Sequence, residues 1–320
     1  MAVLIEASDL QKRFGEIVAV DGISLRVQQG EVLGFLGPNG AGKSTTMKML
    51  TGFLEPDAGS ARIASIDVLE SPKLAKAKLG YLPEGAPCYG DMRALAFLNF
   101  IAEIRGFDRA EAKSRVAAAV EKTELQSVLE QRIETLSKGF KRRVAIAQAI
   151  LHDPQVLIMD EPTDGLDPNQ KHQVRKLIGE MARDKAIIVS THILEEVEAV
   201  CSRAIIINRG RIVADGTAEQ LMRRLPHHNA ISVSVAAGRA EAVSKALSEF
   251  AAIAKVETVG ATNGRVRLRA TAQPSAPPAP ELASLIRARL IEVEEVTIER
   301  GNLDDVFRQI TTSDTGASHA

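Results

Sequence analysis

Two short stretches carry residue types whose spacing suits phosphate chemistry. Gly37-Pro38-Asn39-Gly40-Ala41-Gly42-Lys43-Ser44 fits G-x-x-x-x-G-K-[ST] at every fixed position. Its glycines let the backbone turn so that successive N–H groups point at phosphate oxygens, an anion nest. Lys43 would reach the β- and γ-phosphates, and the Ser44 hydroxyl would ligate Mg²⁺. The second stretch, Val156-Leu157-Ile158-Met159-Asp160-Glu161, is an apolar run ending in two carboxylates. Asp160 would stand at the strand's carboxyl end, where it can hold Mg²⁺ through water. Glu161 follows at once and could polarise an attacking water as general base. Either stretch alone has a bland reading, a glycine turn or an acidic strand end. The loop by itself also leaves ATPase, GTPase and small-molecule kinase open.

These groups must be positioned by buried strands. Val32 to Leu36 and Val156 to Met159 are near-continuous apolar runs, as are Ala186 to Val189 and Ile205 to Ile207. Such runs suit strands covered on both faces of a mostly parallel sheet, so the first 225 residues read as an α/β domain. Lys43 to Thr51 would be the helix whose positive end completes the phosphate nest. Between about 85 and 155 the pattern turns helical, with Asp91 and Asp108 at expected N-caps, which reads as a helical insert. A boundary is expected at Leu225-Pro226, after a capping-box spacing at Thr217 and Gln220. Beyond it, residues 226–320 read as strand (Ile231 to Val235), helix (Arg239 to Phe250) and strand (Lys255 to Val259). Asn263-Gly264 signals a hairpin into Arg265 to Arg269. Thr271 to Pro280 reads as an exposed linker, followed by helix (Glu281 to Leu290), strand (Ile291 to Ile298) and helix (Asn302 to Ile310). That order, β-α-β-β-α-β, is a small α+β sandwich of ferredoxin-like type, and Ser313 to Ala320 reads as a frayed tail.

Composition removes several classes. The 320 residues are 45% hydrophobic and 25% charged, a globular balance. A net charge of −1, with 3% aromatic residues and no Trp, gives neither a nucleic-acid footprint nor a base-stacking platform. No apolar run approaches the ~20 residues that span a bilayer. Cys88 and Cys201 have no disulfide or metal spacing, and the N-terminus lacks the features of a secretory signal. The expected location is therefore the cytosol.

In its first 225 residues the chain resembles the ATP-binding subunits of ABC transporters. Leu136-Ser137-Lys138-Gly139-Phe140 is similar to the family's signature motif, usually L-S-G-G-Q. Gly165-Leu166-Asp167-Pro168 matches the D-loop, Ser190-Thr191-His192 matches the switch histidine, and Phe14 stands where the family places a ring against adenine. The resemblance implies a P-loop NTPase fold of ABC type with ATP and Mg²⁺ as ligands. It assigns nucleotide contacts to Phe14, Gly37 through Thr45, Ser137, Gly139 and Asp167, and metal contacts to Ser44, Asp160 and Glu84. Catalysis would rest on Lys43, Glu161 and His192. Lys138 and Phe140 depart from the signature, and Glu84, in Tyr81-Leu82-Pro83-Glu84, stands where the family has glutamine. The first change leaves Ser137 and Gly139 to meet a γ-phosphate. The second keeps an oxygen, loses an amide donor and adds a charge.

One signature and one phosphate loop imply a second ATPase subunit, a homodimer closed head-to-tail by ATP, and a separate transmembrane permease at the inner face of the membrane. Docking is expected on the helical insert and the Glu84 loop. The departures and the small C-terminal domain look most like export-type cassettes, with residues 226–320 as accessory or regulatory. The competing reading is a soluble ABC ATPase acting on nucleic acid or ribosomes. The stretch between Lys43 and Ser137 is too short for the long coiled coil of DNA-repair members, and translation-factor members carry two cassettes. The run Lys141-Arg142-Arg143 reads either as a contact to an anionic partner or as a solvated helix face. His227 and His228 read as linker residues.

Overall fold

The computed structural model describes residues 2–85, 87–262, 264–290, 293–299 and 301–312. The chain divides into two units between Ala218 and Glu219. The first opens with β1 (Val3–Phe14) and β2 (Ile17–Gln28), a long antiparallel pair that the sequence reading did not resolve. β3 (Val32–Leu36) runs into the phosphate loop and α1 (Lys43–Leu50). β4 (Ala58–Ile63) and β5 (Ile66–Asp67) return to β1, completing an antiparallel sheet of order β2-β1-β4-β5. α2 (Pro72–Lys78) leads to β6 (Leu79–Leu82). The insert follows as α3 (Ala94–Ile104), α4 (Arg109–Lys122) and α5 (Lys138–Ile150). β7 (Val156–Asp160), α6 (Pro168–Met181), β8 (Ala186–Thr191), α7 (Leu194–Val200), β9 (Arg203–Asn208) and β10 (Arg211–Gly216) finish the unit.

The second sheet has order β10-β9-β3-β8-β7-β6 and is parallel except for the β9–β10 hairpin. Its strands alternate between two cores, as a side-chain period of two requires. Val156 and Ile158 pack with α1 and the antiparallel sheet, whereas Leu157 and Met159 pack with α3, α4, α5 and α6. Both faces are therefore dry, which explains why these strands read as unbroken apolar runs.

Registry brings the strand ends together. Leu36 lies opposite Thr191, Asp160 opposite Ser190, and Leu82 opposite Met159. The loops after β3, β6, β7 and β8 thus leave one edge of one sheet, the carboxyl edge where open α/β sheets bind ligands.

Asp108 caps α4, accepting the Glu111 N–H at 2.9 Å. Asp91 does not cap α3, contrary to expectation; Arg93 holds that position without a side-chain cap bond. Backbone replaces the cap: the N–H groups of Ala94 and Leu95 donate to the carbonyls of Gln131 and Leu129.

In the second unit, α8 (Ala218–Met222) starts at the division, ahead of the expected break. Leu225 is buried, and a Cβ on Gly301 would sit 2.4 Å from its Cδ1, so this residue packs within the second unit. β11 (Ala230–Ala236), α9 (Ala240–Ser248), β12 (Ile253–Thr262), β13 (Arg265–Ala272), α10 (Ala279–Arg289) and β14 (Glu295–Glu299) follow the ferredoxin-like order. The sheet is antiparallel, ordered β12-β13-β11-β14, and α11 (Leu303–Thr312) follows it. Ile231, Val233 and Val235 share a core with Val243 and Leu247 of α9 and Leu282 and Ile286 of α10. The expected linker is shorter than Thr271 to Pro280. Thr271 and Ala272 extend β13, and Pro280 sits in the first turn of α10, where its missing N–H costs nothing. Ala276 and Ala279 pack against the core instead of standing free. Asn263, Ile291, Glu292 and residues 313–320 of the expected hairpin, strand and tail lie outside the described residues.

Candidate functional site

The phosphate loop is shaped by close approach. A Cβ on Gly37 would fall 2.6 Å from the Ile207 carbonyl oxygen, and one on Gly42 2.3 Å from that of Ala19. Gly40 and Gly42 have φ of +78° and +104°, the left-handed backbone that lets the nest turn. Lys43, which opens α1, is buried, and its ammonium donates to the carbonyls of Gly37 at 2.7 Å and Pro38 at 3.2 Å. Burial pushes its pKa down, opposed by the charges of Glu161, Asp160 and Glu84. Ala41 and Gly37 are buried in the packing that holds the loop, and Ala41 accepts the Gly210 N–H.

Two adjoining cavities lie over the loop. The larger, about 450 Å³, is lined by Phe14, Asn39, Gly40, Gly42, Lys43, Ser44, Thr45, Glu84 and Glu161, with Ala19 in its wall. Phe14 is 50% exposed, with the Lys12 ammonium 5.9 Å from its ring centroid, and it presents an aromatic surface to the cavity. The second, about 370 Å³, has Ser44, Lys48, Tyr81, Pro83, Glu84, Gly85 and Asp160 around it. Ser44 and Glu84 border both.

Asp160 is 1% exposed, and its Oδ1 is buried with no hydrogen-bond partner among the described residues. The Ser190 hydroxyl across the β7–β8 register has none there either. A dry carboxylate oxygen is costly unless a cation or its water meets it, so Asp160 and Ser44 fit a hard divalent ion such as Mg²⁺. Among the described residues no cluster of three or more His, Cys, Asp and Glu could cage a metal alone. Ser44 and Asp160, which border the same cavity, offer hard oxygen donors that suit an ion completing its shell with phosphate and water.

Glu161 turns away from β7 with φ +49°, a strained conformation for a non-glycine residue, while its N–H donates to the Ser190 carbonyl at 2.8 Å. This turn points its carboxylate at His192, whose Nδ1–H donates toward Oε1 and Oε2, both at 3.0 Å. Burial raises the Glu161 pKa, offset by the His192 hydrogen bond and charge and by Lys43. A carboxylate so held can accept a proton from water beside the phosphate loop.

The signature and D-loop sit elsewhere in this chain. Ser137 is exposed and caps α5, accepting the Phe140 N–H at 3.3 Å. Asp167 caps α6 in a capping box with Gln170. Gly139 is buried beneath that box, since a Cβ there would lie 2.4 Å from Gln170 Nε2. Ser137, Gly139 and Asp167 line neither cavity, whereas Glu84, the departure from the family, lines both.

Arg142 of the basic run does not stand on a solvated helix face. Arg142 is 6% exposed, with Nη1 unpartnered among the described residues, and burial lowers its pKa against the pull of Asp164, Glu161 and Asp160. Arg143 bonds Glu124 at 3.0 Å and also reaches Gln173. Sequence reasoning also passed over Glu196, which is buried among Thr163, Thr191, Lys171 and Arg175. Both residues sit in charge runs that resemble solvated helix faces.

A family model described as ABC transporter matches residues 20–164. The linearmycin resistance ATP-binding protein LnrL of Bacillus subtilis is 32% identical over 96% of this chain and 98% of its own length. The chain belongs to the ABC transporter family. The Nod factor export ATP-binding protein I of Paraburkholderia xenovorans is 39% identical over 68% of this chain and 72% of its own. Among solved structures, an ATP-binding subunit of an ABC transporter superposes with a TM-score of 0.64 at 32% identity, covering 69% of this chain and 92% of its own. A dimeric bacterial ABC transporter cassette shares the fold at TM-score 0.62 and 23% identity, over 67% of this chain and 98% of its own. As an ABC ATPase, the chain binds and hydrolyses ATP. No helix among the described residues is long and apolar enough to cross a membrane.

Proposed function

We propose that this chain energises an export-type ABC transporter, as a homodimer docked on a separate transmembrane permease at the inner face of the cell membrane. One observation carries the dimer. The phosphate loop, Asp160, Glu161 and His192 converge at one sheet edge, while Ser137 and Gly139 line neither cavity there. Ser137, exposed at the start of α5, is available to the nucleotide of a second copy, and two-fold symmetry makes both sites equivalent. The export assignment is supported by the likeness to LnrL, which extends through both units, and to the Nod factor export protein.

In this reading Phe14 takes the adenine face, and the loop N–H groups with Lys43 take the phosphates. Mg²⁺, met by Ser44, Asp160 and Glu84, would neutralise charge on the phosphate oxygens. Glu161 accepts the proton of the attacking water, and His192 orients that carboxylate and faces the γ-phosphate. The helical insert and the Glu84 loop form the docking surface, and residues 226–320 an accessory unit.

Purification of the tagged chain from detergent-solubilised membranes tests the assignment. A stoichiometric multi-span membrane protein is the expected companion. Ribosomes or nucleic acid in its place would favour the soluble-ATPase reading, which neither the net charge nor these relatives favours.

A further inference from the structure

Glu196 lies four residues beyond His192 on α7, is 3% exposed, and has no part in the site as described so far. Each of its carboxylate oxygens is engaged. Oε1 accepts the Thr163 hydroxyl, and Oε2 accepts the Thr191 hydroxyl at 3.1 Å. Thr191 Oγ1 in turn accepts the Ile193 N–H at 3.1 Å, closing a small turn whose middle residue is His192. Thr163 stands two residues after Glu161. One buried carboxylate therefore holds both segments that carry the Glu161–His192 pair.

The same carboxylate reaches the D-loop helix. Lys171 Nζ lies 3.7 Å and Arg175 Nη2 4.0 Å from Oε1, and these residues, four apart, share one face of α6. That helix starts at the Asp167–Gln170 capping box, and Gly139 of the signature lies against the Gln170 side chain. A buried carboxylate costs desolvation that ion pairing repays only with good geometry, and one bonded at both oxygens to the two segments is suited to orienting them.

We propose that Glu196 is a positioning residue that fixes His192 against Glu161 and couples that pair to α6, and so to the D-loop. The inference rests on reading Glu161 and His192 as the pair that acts at the γ-phosphate.

Glu196→Gln keeps the shape but loses the charge and presents an amide donor to one of two hydroxyls that both donate. Turnover (kcat) should fall at least tenfold, with ATP affinity within twofold, because Glu196 lines neither cavity. The exposed neighbour substitution Glu195→Gln should leave both unchanged. The deciding readout is a double-mutant cycle. In a His192→Ala background, Glu196→Gln should cost less than twofold further, since the group it positions is gone. Thr191→Val, which replaces one hydroxyl with a methyl and keeps the branched shape, should show the same loss and the same non-additivity, and it carries the test if Glu196→Gln does not fold. Wild-type turnover in these variants, an equal loss in both backgrounds, or affinity falling in step with turnover would overturn the inference. Normal turnover in His192→Ala would instead overturn the reading of the pair on which it rests.

Discussion

His152 shows how one partly buried side chain can make the fold sensitive to pH. Its Nε2–H donates to the Leu79 carbonyl at 2.9 Å, and its Nδ1 is buried without a partner among the described residues. A second proton on Nδ1 would have no acceptor there, and burial, with Arg105 nearby, depresses the pKa from 6.5 to about 4. The folded value lies below the unfolded one, so the stabilisation is fully present above about 6.5 and is lost as pH falls toward about 4. A shift of that size corresponds to about 3 kcal/mol. His152→Gln, which can still donate to Leu79, should flatten the stability profile between those limits; denaturant midpoints of both proteins across that range measure it. An unchanged slope would refute the assignment. At this scale the sequence singled out Lys43, Ser44, Asp160 and Glu161 because chemistry fixes type and spacing together, and the structure brings them to the two adjoining cavities. Glu196 and Arg142 were not legible, because Glu195-Glu196-Val197-Glu198 and Lys141-Arg142-Arg143 look like solvated runs until tertiary packing buries one member of each.

Among the elements, the buried parallel strands could be read because both faces demand apolar residues at every position. β1 and β2 could not, because their pairing shifts register between Ala7 and Leu10, again at Leu10 and Gln11, and between Lys12 and Arg13. Each shift breaks the alternation that identifies a half-buried strand. Helix starts divide in the same way. Asp108 and Asp91 look alike in sequence, yet only Asp108 bonds a free helix N–H, because the chain at 129–131 already satisfies the start of α3. Asp108→Ala should therefore cost about 1 kcal/mol, and Asp91→Ala less than about 0.5 kcal/mol. Chemical denaturation of the two variants compares them directly. Equal losses would mean that Asp91 performs a capping role that the structure does not give it.

For the whole molecule, the β-α-β-β-α-β order of the second unit was legible from hydrophobic alternation and turn residues, whereas its division from the first fell at Ala218–Glu219 and not at Leu225–Pro226. The signal at Leu225-Pro226-His227-His228 was a proline, and a proline marks a turn without saying which core receives its neighbours. Assembly is not written in either unit alone. The proposed assembly rests on Ser137 and Gly139 lying outside the cavity lined by Lys43 and Glu161. The direct test is sizing chromatography of Glu161→Gln, with and without ATP and Mg²⁺. Loss of the proton acceptor should slow hydrolysis by at least about 100-fold, so that bound ATP keeps two copies closed and the dimer fraction rises sharply with nucleotide. Adding Ser137→Arg, which sets bulk and charge where the opposite γ-phosphate would seat, should return the protein to monomer while each copy still binds ATP. A dimer fraction indifferent to ATP, or one that survives Ser137→Arg, would contradict a nucleotide shared between two copies.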